Sequence, residues 1–237
     1  MTRSRYIALV PAAGSGSRLG NASPKQYLSL AGRPMLYHTV RALAGVARVD
    51  LVCVVLSPGD EHFDGHDWSV FGQRLKVLRC GGDTRAQSVI NGLKALQTEL
   101  TDDDWVLVHD AARPCIAPLL VDRLIDEVGD DPVGGLLGLP LPDTLKQADD
   151  SGRVQRTVPR AGLWLAQTPQ MFRYGLLVQA LTATGAGVTD DASAVEALGL
   201  KPRLVTGDSR NFKVTYAADA GLAELILQSH IEPRNGS

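Results

Sequence analysis

The segment Pro11-Ala12-Ala13-Gly14-Ser15-Gly16-Ser17-Arg18-Leu19-Gly20, with Lys25 close behind, follows an apolar run at residues 6–10 and leads toward a helical pattern. A strand feeding a glycine-rich loop puts that loop where a parallel α/β sheet ends and ligands gather. Glycine has no Cβ, so its backbone can approach phosphate oxygens closely and aim N–H groups at them. Arg18 and Lys25 add full positive charges. A dinucleotide fingerprint does not fit: the third glycine of G-x-G-x-x-G falls on Leu19, and residues 32–44 lack the acidic residue expected about 20 positions on. No Gly-Lys-Ser/Thr follows, so a Walker loop fails too. Two readings remain, a tight strand-to-helix turn with solvated cations or a nucleoside triphosphate cradle, and the paired cations favour the cradle.

Further strand-like apolar runs recur at residues 51–56, 76–80, 105–109, 133–139, 163–166 and 202–206, several separated by segments of helical period. This alternation predicts an α/β fold with a mostly parallel sheet. Val89, Ile90, Leu93 and Leu96, then Leu120, Val121, Leu124, Ile125 and Val128, form core-facing helical stripes. Thr189-Asp190-Asp191 caps a helix over 192–198, and a final helix over 219–228 carries Leu222, Leu225 and Ile226 on one face.

The chain of 237 residues, 44% hydrophobic, can bury a substantial core, and we expect a single domain over 1–237. Its formal net charge of −2 argues against a nucleic-acid or anionic-membrane surface. No apolar stretch approaches the roughly 18 residues of a membrane span, and no signal-peptide apolar region precedes the first strand. Cys53, Cys80 and Cys115 are widely spaced without C-x-x-C pairing, which fits buried reduced thiols. A soluble cytoplasmic protein is expected.

Residues 139–160 break the alternation. Pro140 and Pro142 punctuate the entry, Asp149-Asp150-Ser151-Gly152 makes a turn, and Val154 and Val158 give only a thin apolar face. A two-stranded hairpin is marginal alone, so this one packs either on a second subunit or on its own domain.

Three further clusters can carry chemistry. Trp105-Val106-Leu107-Val108-His109-Asp110-Ala111-Ala112-Arg113-Pro114 is a strand ending on a carboxylate at the same sheet edge as the glycine loop. Asp110 either holds Mg²⁺, which favours one or two carboxylates plus phosphate oxygens, or caps a turn or pairs with Arg113. Gly81-Gly82-Asp83-Thr84-Arg85, leading to Ser88, offers backbone groups, a carboxylate and a hydroxyl that either read a nucleobase edge or cap a helix. Lys213, in Asn211-Phe212-Lys213-Val214-Thr215, is expected in a short late strand, as a solvated edge charge or as a phosphate ligand.

Taken together, the Pro11 to Gly20 loop with Pro24-Lys25-Gln26-Tyr27, the His109-Asp110-Ala111-Ala112-Arg113-Pro114 run, the Gly81 to Ser88 cluster, Thr189-Asp190 and the Asn211 to Thr215 run resemble the 2-C-methyl-D-erythritol 4-phosphate cytidylyltransferases of the non-mevalonate isoprenoid pathway. The resemblance spans nearly the whole chain. It implies a Rossmann-like three-layer sandwich with a protruding β-hairpin arm, used to clasp a second copy in a homodimer. It further implies CTP and 2-C-methyl-D-erythritol 4-phosphate as substrates, with Mg²⁺ or another divalent cation on Asp110. Ala12, Ala13, Gly14, Ser15 and Gly16 would wrap the triphosphate, while Gly82, Asp83 and Ser88 would read cytosine. Arg18, Lys25 and Lys213 would be the catalytic cations. Ala111, Arg113, Thr144 and Thr189 would line the acceptor pocket, with Arg160 arriving from the other subunit. Leu19 stands where many members carry Met, and Cys115 follows Pro114 where other residues are common; neither position is expected to touch substrate.

Overall fold

A computed structural model describes residues 3–14 and 24–229. The order along the chain is β1 (Tyr6–Pro11), β2 (Ser29–Leu30), β3 (Arg33–Pro34), α1 (Met35–Ala44), β4 (Leu51–Val55), β5 (Leu75–Leu78), α2 (Arg85–Ala95), β6 (Trp105–Val108), α3 (Pro118–Val128), β7 (Gly135–Pro140), β8 (Leu145–Ala148), β9 (Val154–Val158), β10 (Trp164–Arg173), α4 (Tyr174–Thr184), α5 (Asp191–Glu196), β11 (Arg203–Thr206) and α6 (Ala217–Ser229). Seven strands form the main sheet in the order β11-β7-β10-β6-β1-β4-β5. All neighbours are parallel except β10, which runs antiparallel between β6 and β7.

The apolar runs become strands because both faces of the sheet are covered, which favours continuous rather than alternating hydrophobicity. Side chains alternate across β1: Ala8 and Val10 enter one core with Leu36, Val40 and Leu43 of α1 and Leu120, Val121 and Leu124 of α3. Ile7 and Leu9 enter the other with Val89 and Leu93 of α2, Leu177 and Leu181 of α4, and Ala192 and Val195 of α5. Three layers result, as the resemblance implied. Each fully buried Leu, Ile or Val contributes about 1.5–3 kcal/mol relative to exposure.

Two expectations are corrected. Lys213 is in no strand; residues 211–215 form an irregular connection to α6, tied by the Val214 N–H to the Ala112 carbonyl at 2.8 Å. The final helix turns inward a face that includes Ile226 but neither Leu222 nor Leu225. Ala223 and Leu227, four residues apart, are buried, whereas Leu222 and Leu225 are 52% and 66% exposed. The small cluster that receives α6, with Leu30, Met35, Cys115 and Val214, accepts the narrow alanine side and leaves those two leucines outside.

The hairpin forms where the sequence placed it. β8 and β9 pair antiparallel with each other as a separate two-stranded sheet. The Asp149 carboxylate accepts from the Ser151 and Arg153 N–H groups and from the Ser151 hydroxyl, and Gly152 supplies the positive φ of 78°. Val154 remains 64% exposed at this arm.

Candidate active site

The carboxyl ends of β1 and β6, with the loop after β5, border a cavity of about 490 Å³ lined by Pro11, Ala12, Ala13, Gly14, Lys25, Gln26, Met35, Gly82, Asp83, Thr84, Arg85, Ser88, Asp110, Ala111, Ala112, Lys213 and Thr215. The start of the glycine loop is seated at Ala12: its N–H donates to the Val55 carbonyl at 2.8 Å, and the side-chain amide of Gln26 donates from Nε2 to its carbonyl at 2.7 Å. Lys25 opens a short 3-10 turn, Lys25–Tyr27. Its far side is anchored by the buried Tyr27 hydroxyl, which donates to the Asp60 carboxylate at 2.8 Å.

The loop after β5 touches the first loop so closely that a Cβ on Gly81 would lie 2.2 Å from the Ala13 Cβ and 2.8 Å from the Leu56 carbonyl oxygen. Only glycine fits there. Thr84, not Asp83, caps α2, its hydroxyl accepting the Gln87 N–H at 3.0 Å. Asp83 is exposed to the cavity. Ser88 folds the loop onto the helix: its hydroxyl accepts the Gly82 N–H at 3.1 Å and donates to the Thr84 carbonyl at 3.0 Å.

Asp110 is the electrostatic centre. Its Oδ1 accepts from Arg85 Nε at 2.7 Å, its Oδ2 meets Lys213 Nζ at 2.9 Å, and Arg113 Nε stands 3.8 Å away. Burial opposes its charge, but Arg85 and Lys213 outweigh it and hold the carboxyl well below the usual range. Arg85 Nη2 also donates to Asp191 Oδ2 at 2.8 Å. Asp191 is fully buried with fewer cations about it, so burial raises its pKa. Burial opposes the charge of Arg85 too, but its two carboxylate partners, Asp191 and Asp110, outweigh it and push its pKa up.

The sequence expectations divide accordingly. Ala12, Ala13, Gly14, Lys25, Gly82, Asp83, Ser88, Asp110, Ala111 and Lys213 share the cavity. Ser15, Gly16 and Arg18 lie outside the described residues. Arg113 instead lines an adjoining cavity of about 520 Å³ that shares Lys213 and is bounded by Leu139, Pro140, Leu165 and Phe212. Thr144, Arg160 and Thr189 line neither cavity. Thr144 and Arg160 are carried off by the excursion between β7 and β10, and Thr189 is exposed, its hydroxyl bonded to Ser193 Oγ at 3.3 Å. Sequence reasoning did not single out Arg85 or Asp191. Their contact spans 106 positions, and neither falls in a motif that announces a pair.

Whether the residues present suit a divalent cation follows from the donor set. Among the described residues no cluster of three or more His, Cys, Asp or Glu side chains could hold a metal alone. Asp110, ionised, with one close cation on each oxygen, has acceptor capacity left, which fits an ion shared with substrate phosphates.

A doubly covered, mostly parallel sheet with a cation-rich, glycine-walled cavity at its strand ends defines an α/β nucleotide-binding protein of the nucleotidyltransferase kind. Comparison with known proteins narrows this. Residues 6–229 match the family model described as 2-C-methyl-D-erythritol 4-phosphate cytidylyltransferase (IspD), and the chain belongs to that family. Proteins of this name from Nitrosomonas eutropha and Nitrosospira multiformis are both 59% identical to it, covering 94% of this chain and 97% and 98% of their own lengths. A crystal structure of 4-diphosphocytidyl-2C-methyl-D-erythritol synthase superposes with a TM-score of 0.84 at 40% identity, covering 95% of this chain and 100% of the other. The Thermus thermophilus enzyme gives a TM-score of 0.77 at 34% identity over 94% of this chain and 99% of its own.

Proposed function

We propose that the protein transfers CMP from CTP to 2-C-methyl-D-erythritol 4-phosphate, releasing pyrophosphate and forming 4-CDP-2-C-methyl-D-erythritol in isoprenoid precursor synthesis. The observation that carries this reading is the convergence of Ala13, Gly14, Lys25, Asp83, Asp110 and Lys213 on one cavity in a chain of this family. An acceptor phosphate oxygen attacks the α-phosphorus of CTP in line. A new P–O bond forms, the bond to the β-phosphate bridge breaks, and pyrophosphate departs with the electron pair. The attacking group is already an anion, so no protein nucleophile is required. The work of the site is to gather anions and stabilise charge on the transferring phosphoryl group.

In this reading the main chain at Ala12 to Gly14 cradles the triphosphate, together with Ser15 and Gly16, and Lys25 and Arg18 neutralise the α-phosphate. Gly82, Asp83 and the loop that Ser88 braces receive cytosine. Lys213, shared by the two cavities, and Arg113, in the second, face the acceptor phosphate. Asp110 would hold Mg²⁺ or another divalent cation, which when bound supplies charge neutralisation on the phosphates.

The reading includes a homodimer in which Thr144 and Thr189 line the acceptor site and Arg160 arrives from the other subunit's arm. It is supported by an arm that leaves Leu145, Val154, Leu163 and Leu165 exposed. It also includes a cytoplasmic location, supported by the free thiols of Cys53, Cys80 and Cys115 and by the lack, among the described residues, of a helix long and apolar enough to cross a membrane. Pyrophosphate release measured with each of four nucleoside triphosphates, with and without methylerythritol phosphate, tests the reaction. Release only with CTP and acceptor together is expected, and release independent of the acceptor overturns it.

A further inference from the structure

We propose that Arg85, anchored on Asp191, is a positioning residue that fixes the Asp110 carboxylate in the nucleotide cavity, beside Lys213, the residue that this cavity shares with the acceptor cavity. Its catalytic consequence rests on the reaction proposed above; its geometry does not.

Asp110 has three cationic neighbours of unequal rigidity. Arg113 Nε, at 3.8 Å, is beyond hydrogen-bond reach. Lys213 is close, at 2.9 Å, but its side chain is 46% exposed and it stands on an irregular segment. A lysine ammonium on a flexible four-carbon stem neutralises charge without setting direction. Arg85 alone gives Asp110 a directed bond from a planar fork whose other arm is fixed, because Nη2 is held by Asp191.

Asp191 has no other evident task. Helix α5 is capped by Asp190, whose side chain accepts the Ser193 N–H in a capping box, so the following carboxylate is not needed as a cap. Asp191 is 0% exposed, one oxygen meets Arg85, and the other has no hydrogen-bond partner among the described residues. A buried, half-satisfied carboxylate is a poor stabilising element, so its presence at this place points to what it holds. Its own position is locked to the sheet. Gln170 of β10, in register with Val108 of β6, donates to Asp190 Oδ2 and accepts the Ala192 N–H, both at 2.8 Å. Rigidity therefore passes from the sheet through the start of α5 and the Arg85 fork to the carboxylate.

The test uses R85K, D191N and the double variant in the full-length protein. Asparagine keeps the volume of Asp191 and one acceptor oxygen, so D191N carries the test even where R85K fails to fold. We expect kcat for pyrophosphate release to fall about tenfold or more in each, since a misplacement of about 1 Å can cost roughly 10²-fold. The CTP dissociation constant from calorimetry is expected to stay within about threefold. The double variant is expected to lose no more than R85K alone, because both changes act through one contact. A lowered Tm with kcat within about twofold of the parent, or additive losses in the double variant, overturns the proposal. A crystal structure of D191N reads the orientation whatever the reaction proves to be. Rotation of the Asp110 carboxylate is expected, and a carboxylate held within about 0.5 Å of its parent position overturns the proposal. Inactive parent protein would instead count against the reaction.

Discussion

His109 and Thr168 share a hydrogen bond of 3.0 Å between the imidazole Nδ1 and the threonine hydroxyl, and it fixes the state of both. His109 Nε2 faces the Arg113 carbonyl at 3.2 Å, which can only accept, so the proton is on Nε2 and Nδ1 receives the hydroxyl hydrogen. The same hydroxyl oxygen accepts the Asp110 N–H at 3.1 Å. His109 is thus a neutral strut behind the site rather than a participant in its chemistry.

A stability loss on mild acidification follows. Burial lowers the His109 pKa from 6.5 to about 4, so the unfolded chain takes up the proton first as the pH falls. Stability is complete above the unfolded value and declines from about pH 6.5 to about pH 4, by on the order of 3 kcal/mol. His38, whose pKa burial also lowers, acts in the same direction. Urea unfolding at a series of pH values should show a shallower dependence in H109Q than in the parent. An identical slope contradicts the assignment.

Gly81→Ala should damage nucleotide binding. The added methyl group has nowhere to go but against Ala13 and the Leu56 carbonyl, and overpacking of this kind costs about 1–3 kcal/mol. Relief requires the first loop to move, so we expect CTP affinity measured by calorimetry to drop about tenfold or more. Unchanged affinity would show that the loop contact does not shape the cavity.

Lys25→Ala should lower turnover about 10²-fold, by analogy with loss of one preorganised charge donor. The anchors of its turn, Gln26 on Ala12 and Tyr27 on Asp60, are left intact. Thermal unfolding should therefore stay close to the parent, and equal turnover in the two proteins is the outcome that removes Lys25 from the chemistry.

Val154→Asp on the arm should weaken self-association while sparing the fold, because this valine is 64% exposed in the single chain. Sedimentation velocity would register the shift from dimer toward monomer. A parent protein that is monomeric at assay concentrations would refute the dimer itself.

The parallel strands were legible because burial on both faces leaves continuous apolar runs, and the arm because Asp149 and Gly152 have specific turn chemistry. The final helix was less so. Leu222 and Leu225 outweigh Ala223 in any hydrophobicity count, yet the narrow site against Met35 and Val214 selects the smaller residue. Lys213 was drawn into a strand by its apolar neighbours, although the segment keeps a main-chain hydrogen bond from Val214 to Ala112. Cavity residues that stand in glycine-rich or strand-end motifs could be found by local pattern. The Arg85–Asp191 pair could not, since it exists only after α2 and α5 have packed on the same side of the sheet.

The two roots of the arm are themselves hydrogen-bonded neighbours, Pro140 at the end of β7 lying opposite Trp164 at the start of β10. The same strand carries Thr168 and Gln170, which brace the backbone of Asp110 and the beginning of α5. The arm is thus rooted in the very strand that buttresses the cavity of its own chain.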